Sequence, residues 1–330
     1  MSFSAPKILE KVVSLDASDL HITVGSPPIV RIKRNLSPLT DFPVLTIEDV
    51  NSFLQQVLEA EQVSVLEVSK ELDFSISLGN KARFRVNAFY QKGYPSVALR
   101  YIPQIVPSLA QLNLPPILGG FANVKQGLIL VVGPAGHGKS TTIASILDQI
   151  NETRAEHIIT LEDPIEYIFT NKKSLIEQRE LYVDTASWDN ALKSILRQDP
   201  DVVFIGEMRD MDTILAALQI AETGHLVFAT LHTNSAAQTV ERIIATFPPD
   251  KQMGFQSQLS AILEAVISLR LLPAKDGSAH PAVEIMLGTD AVRNIIREGK
   301  FEQINNVINT SSYLGMISLD RSLATLIEKG

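Results

Sequence analysis

Gly133-Pro-Ala-Gly-His-Gly-Lys139-Ser140 follows the apolar run Leu128-Ile-Leu-Val-Val132 and opens a segment of helical character from Thr141 onward. The spacing is G-x4-G-K-[ST], the phosphate-binding loop, and it stands where that loop must stand, between a strand and a helix. Glycines at 133, 136 and 138 let backbone N–H groups turn inward round a phosphate, and the following helix adds the positive end of its dipole. Gly133, Pro134, Ala135, Gly136, His137, Gly138, Lys139, Ser140 and Thr141 are therefore the candidate nucleotide-binding residues. Lys139 is expected to bridge the β- and γ-phosphates of a nucleotide, and the Ser140 hydroxyl to ligate Mg2+. The motif alone does not separate a kinase from a GTPase, a DNA motor or a secretion motor.

Downstream of this loop, apolar runs at 127–132, 157–161, 201–205 and 226–230 alternate with helical patterns, which predicts a mainly parallel sheet in an α/β domain. After Asp250 the pattern turns mostly helical, with one strand at 282–287. Upstream, residues 102–116 carry four prolines and no charge, the composition of a semi-rigid linker. The expected organisation is a domain over 1–103, a linker over 104–116 and a domain over 117–330. The first domain reads as α+β. It has an opening helix through Leu15, short strands at 20–24 and 29–32, and a helix from Ile47. Three strand segments follow at 72–78, 82–90 and 96–101, separated by the turn residues Gly79-Asn80 and Gly93.

A chain of 330 residues is long enough for two such cores, and 45% hydrophobic with 20% charged residues fits a folded globular protein. The net charge of -8 argues against nucleic acid as the main partner, and none is expected. With no cysteine, disulfides and cysteine-ligated zinc are excluded. Residues 1–13 lack the apolar core of a signal peptide, and no apolar run approaches the length of a membrane span, so a cytoplasmic location is expected.

Three further strands end in chemically active residues. Thr160-Leu-Glu162-Asp163-Pro-Ile-Glu166 packs three carboxylates into five residues, either a solvated acidic turn or a ligand-facing strand end. Val202-Val-Phe-Ile-Gly206-Glu207 has the form of the Walker B strand, with Gly206 where many phosphate-loop enzymes place the Mg2+-binding aspartate. Glu207 must then take over the metal contact, through water, or serve as the base. The fourth strand runs from His225 into Thr230-Leu-His232-Thr233-Asn234, where His232 either senses the γ-phosphate or makes a structural hydrogen bond.

Taken together, these segments resemble the signature set of the secretion and type IV pilus ATPase superfamily. The set comprises Walker A, the acidic box E-D-P-I-E, the Walker B form G-E-M-R-D and the histidine box T-G-H-x(6)-H-T-N. The resemblance covers nearly the whole chain. It includes Ala17-Ser-Asp-Leu-His-Ile-Thr-Val-Gly-Ser-Pro-Pro28, Arg83-Phe-Arg-Val-Asn-Ala-Phe89 and Leu196-Arg-Gln-Asp-Pro-Asp201. Within the superfamily the chain looks most like the retraction ATPases of type IV pili, because Ala291-Val-Arg-Asn-Ile-Ile-Arg-Glu298 is similar to their C-terminal A-I-R-N-L-I-R-E motif. Extension and type II secretion ATPases usually add a larger N-terminal region and a four-cysteine zinc segment. His137 departs from the family's usual serine and is expected to face outward without consequence for binding.

The resemblance implies a PAS-like N-terminal domain, a RecA-like P-loop ATPase domain with a helical C-terminal region, and a homo-hexamer. It implies ATP and Mg2+ as cofactors and an inner-membrane pilus platform protein as partner, with a paralogous motor ATPase as a further candidate. The motor would then lie on the inner face of the cytoplasmic membrane, with residues 291–298 communicating with the platform. Glu166 is the implied base that orients the attacking water, with Glu162 the second choice and Glu207 holding Mg2+ through water. His225 and His232 join the catalytic set. The ATPase domain offers no obvious arginine finger, so Arg83, Arg85 and Arg100 of the first domain are expected to supply charge at the γ-phosphate. The alternatives are an extension or type II secretion ATPase and a RecA-like nucleic-acid motor.

Overall fold

The computed structural model describes residues 4–32, 35–79, 82–102, 105–275 and 279–329. The chain divides into two compact units, Met1–Ile105 and Val106–Gly330. Pro103, Gln104 and Asn80, to which the expected boundary and one expected turn were assigned, lie outside the described residues.

The first unit is α+β. Its opening helix, Ala5–Ser14, buries Ala5, Ile8, Leu9 and Val12, a spacing that puts all four on one stripe. The helix Ile47–Val57 starts on a capping box, in which the Thr46 side chain and Asp49 satisfy each other's backbone N–H groups. Six strands, β1 (Asp19–Thr23), β2 (Ile29–Ile32), β3 (Asn35–Pro38), β4 (Glu71–Leu78), β5 (Ala82–Gln91) and β6 (Tyr94–Ile102), form one sheet in the order β3-β2-β1-β6-β5-β4. Every pairing in it is antiparallel. Along β5 the side chains alternate: Phe84, Val86 and Ala88 enter the core, and Arg83, Arg85 and Asn87 share the other face. Strand β3 and the helix Ala60–Ser69 have no counterpart in the sequence reading. The helix buries only Leu66 and leaves Val65 and Val68 exposed, so it writes no apolar stripe.

The second unit is α/β. Strands β7 (Gly127–Val132), β8 (His157–Glu162), β9 (Leu175–Glu180), β10 (Val202–Ile205), β11 (Leu226–Leu231), β12 (Leu263–Pro273) and β13 (Ala279–Leu287) lie in the order β13-β12-β7-β11-β10-β8-β9. All pair in parallel except β12 with β13. The phosphate-loop strand β7 is central and buried on both faces, which explains its unbroken apolar run. Leu128, Leu130 and Val132 pack on one side with the helices Trp188–Ile195, Met211–Glu222 and Ala236–Ala245. Ile129 and Val131 pack on the other with Ile143, Ile146, Leu147 and Ile150 of the helix Lys139–Thr153. Each fully buried Leu or Ile contributes roughly 1.5–3 kcal/mol, so these two layers fix the sheet between its helices.

Two expectations are corrected here. The region after Asp250 contains two long strands, not one: β12 is an eleven-residue strand whose Leu-Glu-Ala-Val-Ile start has the composition of a helix. It is a strand because it pairs with β7 on one edge and β13 on the other, a tertiary demand that overrides local propensity. The stretch read as a linker is packed from Val106 onward. Ser145 Oγ donates to the Pro107 carbonyl (2.5 Å), Leu109 and Leu112 lie against the core, and Leu114 is buried. No helix among the described residues is long and apolar enough to cross a membrane.

Candidate nucleotide site

The chain leaves β7 at Val132 and turns on Gly133, whose φ of 142° is unfavourable for other residues. A Cβ there would come within 2.4 Å of the Leu269 carbonyl oxygen, so the loop lies directly against β12. Gly136 and Gly138 have φ of 76° and 84°, in the left-handed region, with open space where a Cβ would stand. The helix Lys139–Thr153 begins immediately afterwards and is tied back by Thr142 Oγ1 donating to the Gly138 carbonyl (2.8 Å). Its first-turn N–H groups have no partners within the helix and face the loop's concavity.

Lys139 is buried, and its ammonium donates to the Gly133 and Pro134 carbonyls at 2.8 and 3.0 Å. Burial lowers its pKa, opposed by the nearby carboxylates of Glu207 and then Glu166. His137 does not face outward. Its Nδ1 accepts the Leu271 N–H at 3.0 Å, and the residue is half-buried. The reason lies in the sheet: β12 pairs with β7 only as far as Ser268 opposite Val132, and continues to Pro273. The imidazole satisfies a ladder donor on the overhanging edge that β7 no longer reaches.

The C-terminal ends of the neighbouring parallel strands meet this loop. Glu162, the last residue of β8, is buried; Thr160 Oγ1 (2.6 Å) and Gln178 Nε2 (3.3 Å) donate to its Oε1, and the Glu166 N–H approaches Oε2 at 3.5 Å. Desolvation dominates these hydrogen bonds and pushes its carboxyl up to about 7. Asp163 and Glu166 are exposed in the turn that follows. Tyr167 then returns the chain to the phosphate-loop helix, its hydroxyl donating to Thr141 Oγ1 at 3.2 Å. Burial raises the Tyr167 hydroxyl above its usual value, so it remains a donor at neutral pH.

At the end of β10, a Cβ on Gly206 would stand 3.1 Å from the Leu161 carbonyl oxygen, 3.2 Å from Glu162 Cα and 3.7 Å from Trp188 Cη2. An aspartate at this position would have to push β8 aside, which explains the glycine. The acid comes one residue later. Glu207 Oε1 lies 2.9 Å from His232 Nε2, and its Oε2 accepts from Arg209 Nε at 2.8 Å. Arg209 also reaches towards Asp163 at 4.0 Å. His232 Nδ1 is 3.4 Å from the Lys139 ammonium, so Lys139, His232, Glu207 and Arg209 form one continuous polar chain across three strand ends.

His225 is not part of this convergence. It precedes β11 at the opposite end of the strand from His232, and its Nδ1 lies 3.0 Å from both Thr223 Oγ1 and the Ile220 carbonyl, closing the helix Met211–Glu222. Arg83, Arg85 and Arg100 belong to the first unit. Arg85 stands opposite Arg100 in the β5–β6 register, Arg100 stands opposite Asp19 in the β1–β6 register, and Arg100 Nε donates to Asp19 Oδ1 at 3.0 Å. Arg85 and Arg100, together with Asp19, His21, Asp73 and Asn87, line a cavity of about 380 Å³ on the polar face of that sheet; Arg83 is not part of its lining. Arg209, Tyr167 and Gln178 were missed as site residues. Arg209 carried a usable signal, a cation two residues after Glu207 in G-E-M-R-D, whereas Gln178 depends on a strand, β9, that the sequence did not reveal.

The sequence profile described as "Type II/IV secretion system protein" matches residues 4–294. The chain belongs to that family. It is 43% identical over 314 residues to the "Type IV pilus retractation ATPase PilT" of Pseudomonas aeruginosa, a match covering 95% of this chain and 91% of that one. It is 46% identical over 304 residues to a "Twitching motility protein" of Neisseria gonorrhoeae, covering 92% and 81%. A crystal structure of the pilus retraction motor PilT with bound ADP superimposes with a TM-score of 0.87 at 44% identity, covering 97% of this chain and 96% of that one.

Proposed function

We propose that this chain is an ATP-hydrolysing motor that powers type IV pilus retraction. It works as a homo-hexamer on the inner face of the cytoplasmic membrane, against a pilus platform protein and alongside a paralogous motor ATPase. The observation that supports this best is the convergence of Lys139, His232 and Glu207 on the glycine loop, in a chain with the PilT similarity just described.

In this reading Lys139 leaves its two loop carbonyls for the phosphates. Glu166 orients the attacking water, with Glu162 as its buried neighbour, and His232 links Glu207 to Lys139. Among the described residues no cluster of three or more His, Cys, Asp or Glu side chains could hold a metal alone. The Ser140 hydroxyl and the Glu207 carboxylate are hard oxygen donors that suit Mg2+ arriving with the nucleotide, which needs only one or two protein ligands. When bound, Mg2+ would neutralise charge on the β- and γ-phosphate oxygens. Arg83, Arg85 and Arg100 are our candidates for the remaining transition-state charge, a role that requires a phosphate to be brought to their face of the sheet. The test is pilus dynamics in cells carrying Lys139→Ala: surface pili that extend but no longer shorten are expected, and absence of pili would point to an extension motor instead.

A further inference from the structure

Gln178 lies on the edge strand β9, opposite Thr160 in the parallel β8–β9 register. Thr160, Glu162, Gln178 and Glu180 therefore project from the same face of the sheet. The Gln178 amide makes three hydrogen bonds, one to the last residue of β8 and two to the segment that follows it. Its Nε2 donates to Glu162 Oε1 (3.3 Å) and to the Tyr167 carbonyl (2.8 Å), and its Oε1 accepts the Phe169 N–H (2.9 Å). Only an amide can do all three at once: a carboxylate loses both donors, and an aliphatic side chain loses everything.

The contacts span both ends of the acidic turn. One end is the carboxyl of Glu162, and the other is the backbone on either side of residue 168, next to Tyr167, whose hydroxyl holds Thr141 at the start of the phosphate-loop helix. Fixing these ends fixes the path on which Asp163 and Glu166 stand. We infer that Gln178 is a positioning residue of the nucleotide site: its amide holds the acidic turn in register with the phosphate loop and supports the Glu162 carboxylate. The inference rests on the ATPase reading above.

The charged groups around Glu162 are Glu166 in its own turn, Glu180 beside Gln178 on β9, and Lys139 at the head of the phosphate-loop helix, which feels Glu166. Burial, and with it the Glu166 charge, disfavours the Glu162 carboxylate, whereas the Thr160 and Gln178 donors and the Glu166 N–H favour it. Removing the Gln178 donor moves Glu162 ionisation to higher pH.

The experiment uses the full chain and compares wild type, Gln178→Glu and Gln178→Leu in ATP turnover from pH 6 to 9, with ADP binding measured in parallel. Gln178→Glu keeps the side-chain shape and the acceptor for the Phe169 N–H, so it remains informative if Gln178→Leu does not fold. We expect ADP affinity within about threefold of wild type and kcat reduced roughly tenfold or more, as for lost supporting hydrogen bonds around other sites. The limb of the kcat profile that Glu162→Gln abolishes should also move up by about one pH unit. A merely structural brace would lower kcat equally at every pH. Superimposable wild-type and Gln178→Glu profiles, or a shift that survives in the Glu162→Gln background, would overturn the inference. A wild-type chain with no ATP turnover would instead remove the ATPase reading beneath it.

Discussion

His232 bridges Lys139 and Glu207, with Nδ1 3.4 Å from the ammonium and Nε2 2.9 Å from the carboxylate. The partners select the tautomer: Nδ1 facing a cation must keep its lone pair, and Nε2 facing a carboxylate must carry the proton. The imidazole thus links the phosphate-loop lysine to the strand end that carries Glu207. His232→Ala should separate the two. ATP turnover should fall by about ten- to a hundredfold while ADP affinity stays close to wild type, as read by steady-state kinetics beside equilibrium nucleotide binding. A parallel loss of binding would place His232 in holding the nucleotide.

Glu166 in the acidic turn and Glu207 beyond β10 should fail in different ways. Glu166→Gln preserves side-chain size in an exposed turn. It should leave Mg2+-ATP affinity nearly unchanged while lowering kcat by about two orders of magnitude, so that bound ATP accumulates. Glu207→Gln weakens a carboxylate that serves both His232 and Arg209. It should raise the Mg2+ concentration needed for half-maximal turnover. Single-turnover hydrolysis across a Mg2+ titration distinguishes the two, and the opposite pattern would exchange their roles.

Glu162 should make stability fall with rising pH. Its carboxyl is pushed from the usual 4.5 to about 7, so the folded chain holds a proton that the unfolded chain releases between those values. The contribution is therefore neutral below pH 4.5 and increasingly unfavourable up to pH 7. Glu162→Gln removes the cost and should stabilise the nucleotide-free protein at pH 8 by up to about 3 kcal/mol, with little gain at pH 4.5. Thermal melts at the two pH values give the comparison, and an equal change at both would argue against a buried ionisation.

Arg293 and Arg297 have the same charge and should behave differently on substitution. Arg293 turns inward, donating to the Gly288 carbonyl (2.7 Å), the Ser260 and Ala261 carbonyls (2.7 and 2.5 Å) and Glu264 Oε1 (2.7 Å). It caps the helix Gln252–Ile262 and joins it to the start of β12 and the end of β13. Arg297 is exposed and meets Asn294. Arg293→Ala should cost about 2–4 kcal/mol in denaturant unfolding, and Arg297→Ala within about 0.5 kcal/mol. Of the two, Arg297 is therefore the one to alter when asking whether this segment communicates with a membrane partner.

The parts of this site legible in the sequence are those that local pattern determines. The strand-turn-helix around Lys139 announces itself through three glycines, and Glu162, Glu207 and His232 are found because each ends a buried apolar strand. What could not be read comes from pairing across the sheet. Residues 263–273 look helical until β7 and β13 claim them, and residues 175–180 are too charged to resemble their apolar neighbours although β8 pairs with all six. Gln178 as a brace and His137 as an acceptor follow from those two strands, so neither could be assigned before the strands were placed. The motif marks residues 291–298 as a coupling segment but does not show that Arg293 turns inward; its carbonyl partners lie about thirty residues earlier, beyond the reach of any helical periodicity.

The nearness of the Trp188 ring to Gly206, where an added Cβ would stand 3.7 Å from Cη2, bears on how this site can be observed. Trp188 is the chain's one tryptophan, and it opens the helix Trp188–Ile195 at the edge of the core beneath the Gly206-Glu207 strand end. Any shift of that strand end as a phosphate enters the loop changes the packing and polarity around a single indole. Intrinsic emission from the unlabelled protein should therefore report events at Glu207, free of other tryptophans, and stopped-flow mixing with ATP could time the closing of the acidic strand ends separately from the appearance of product.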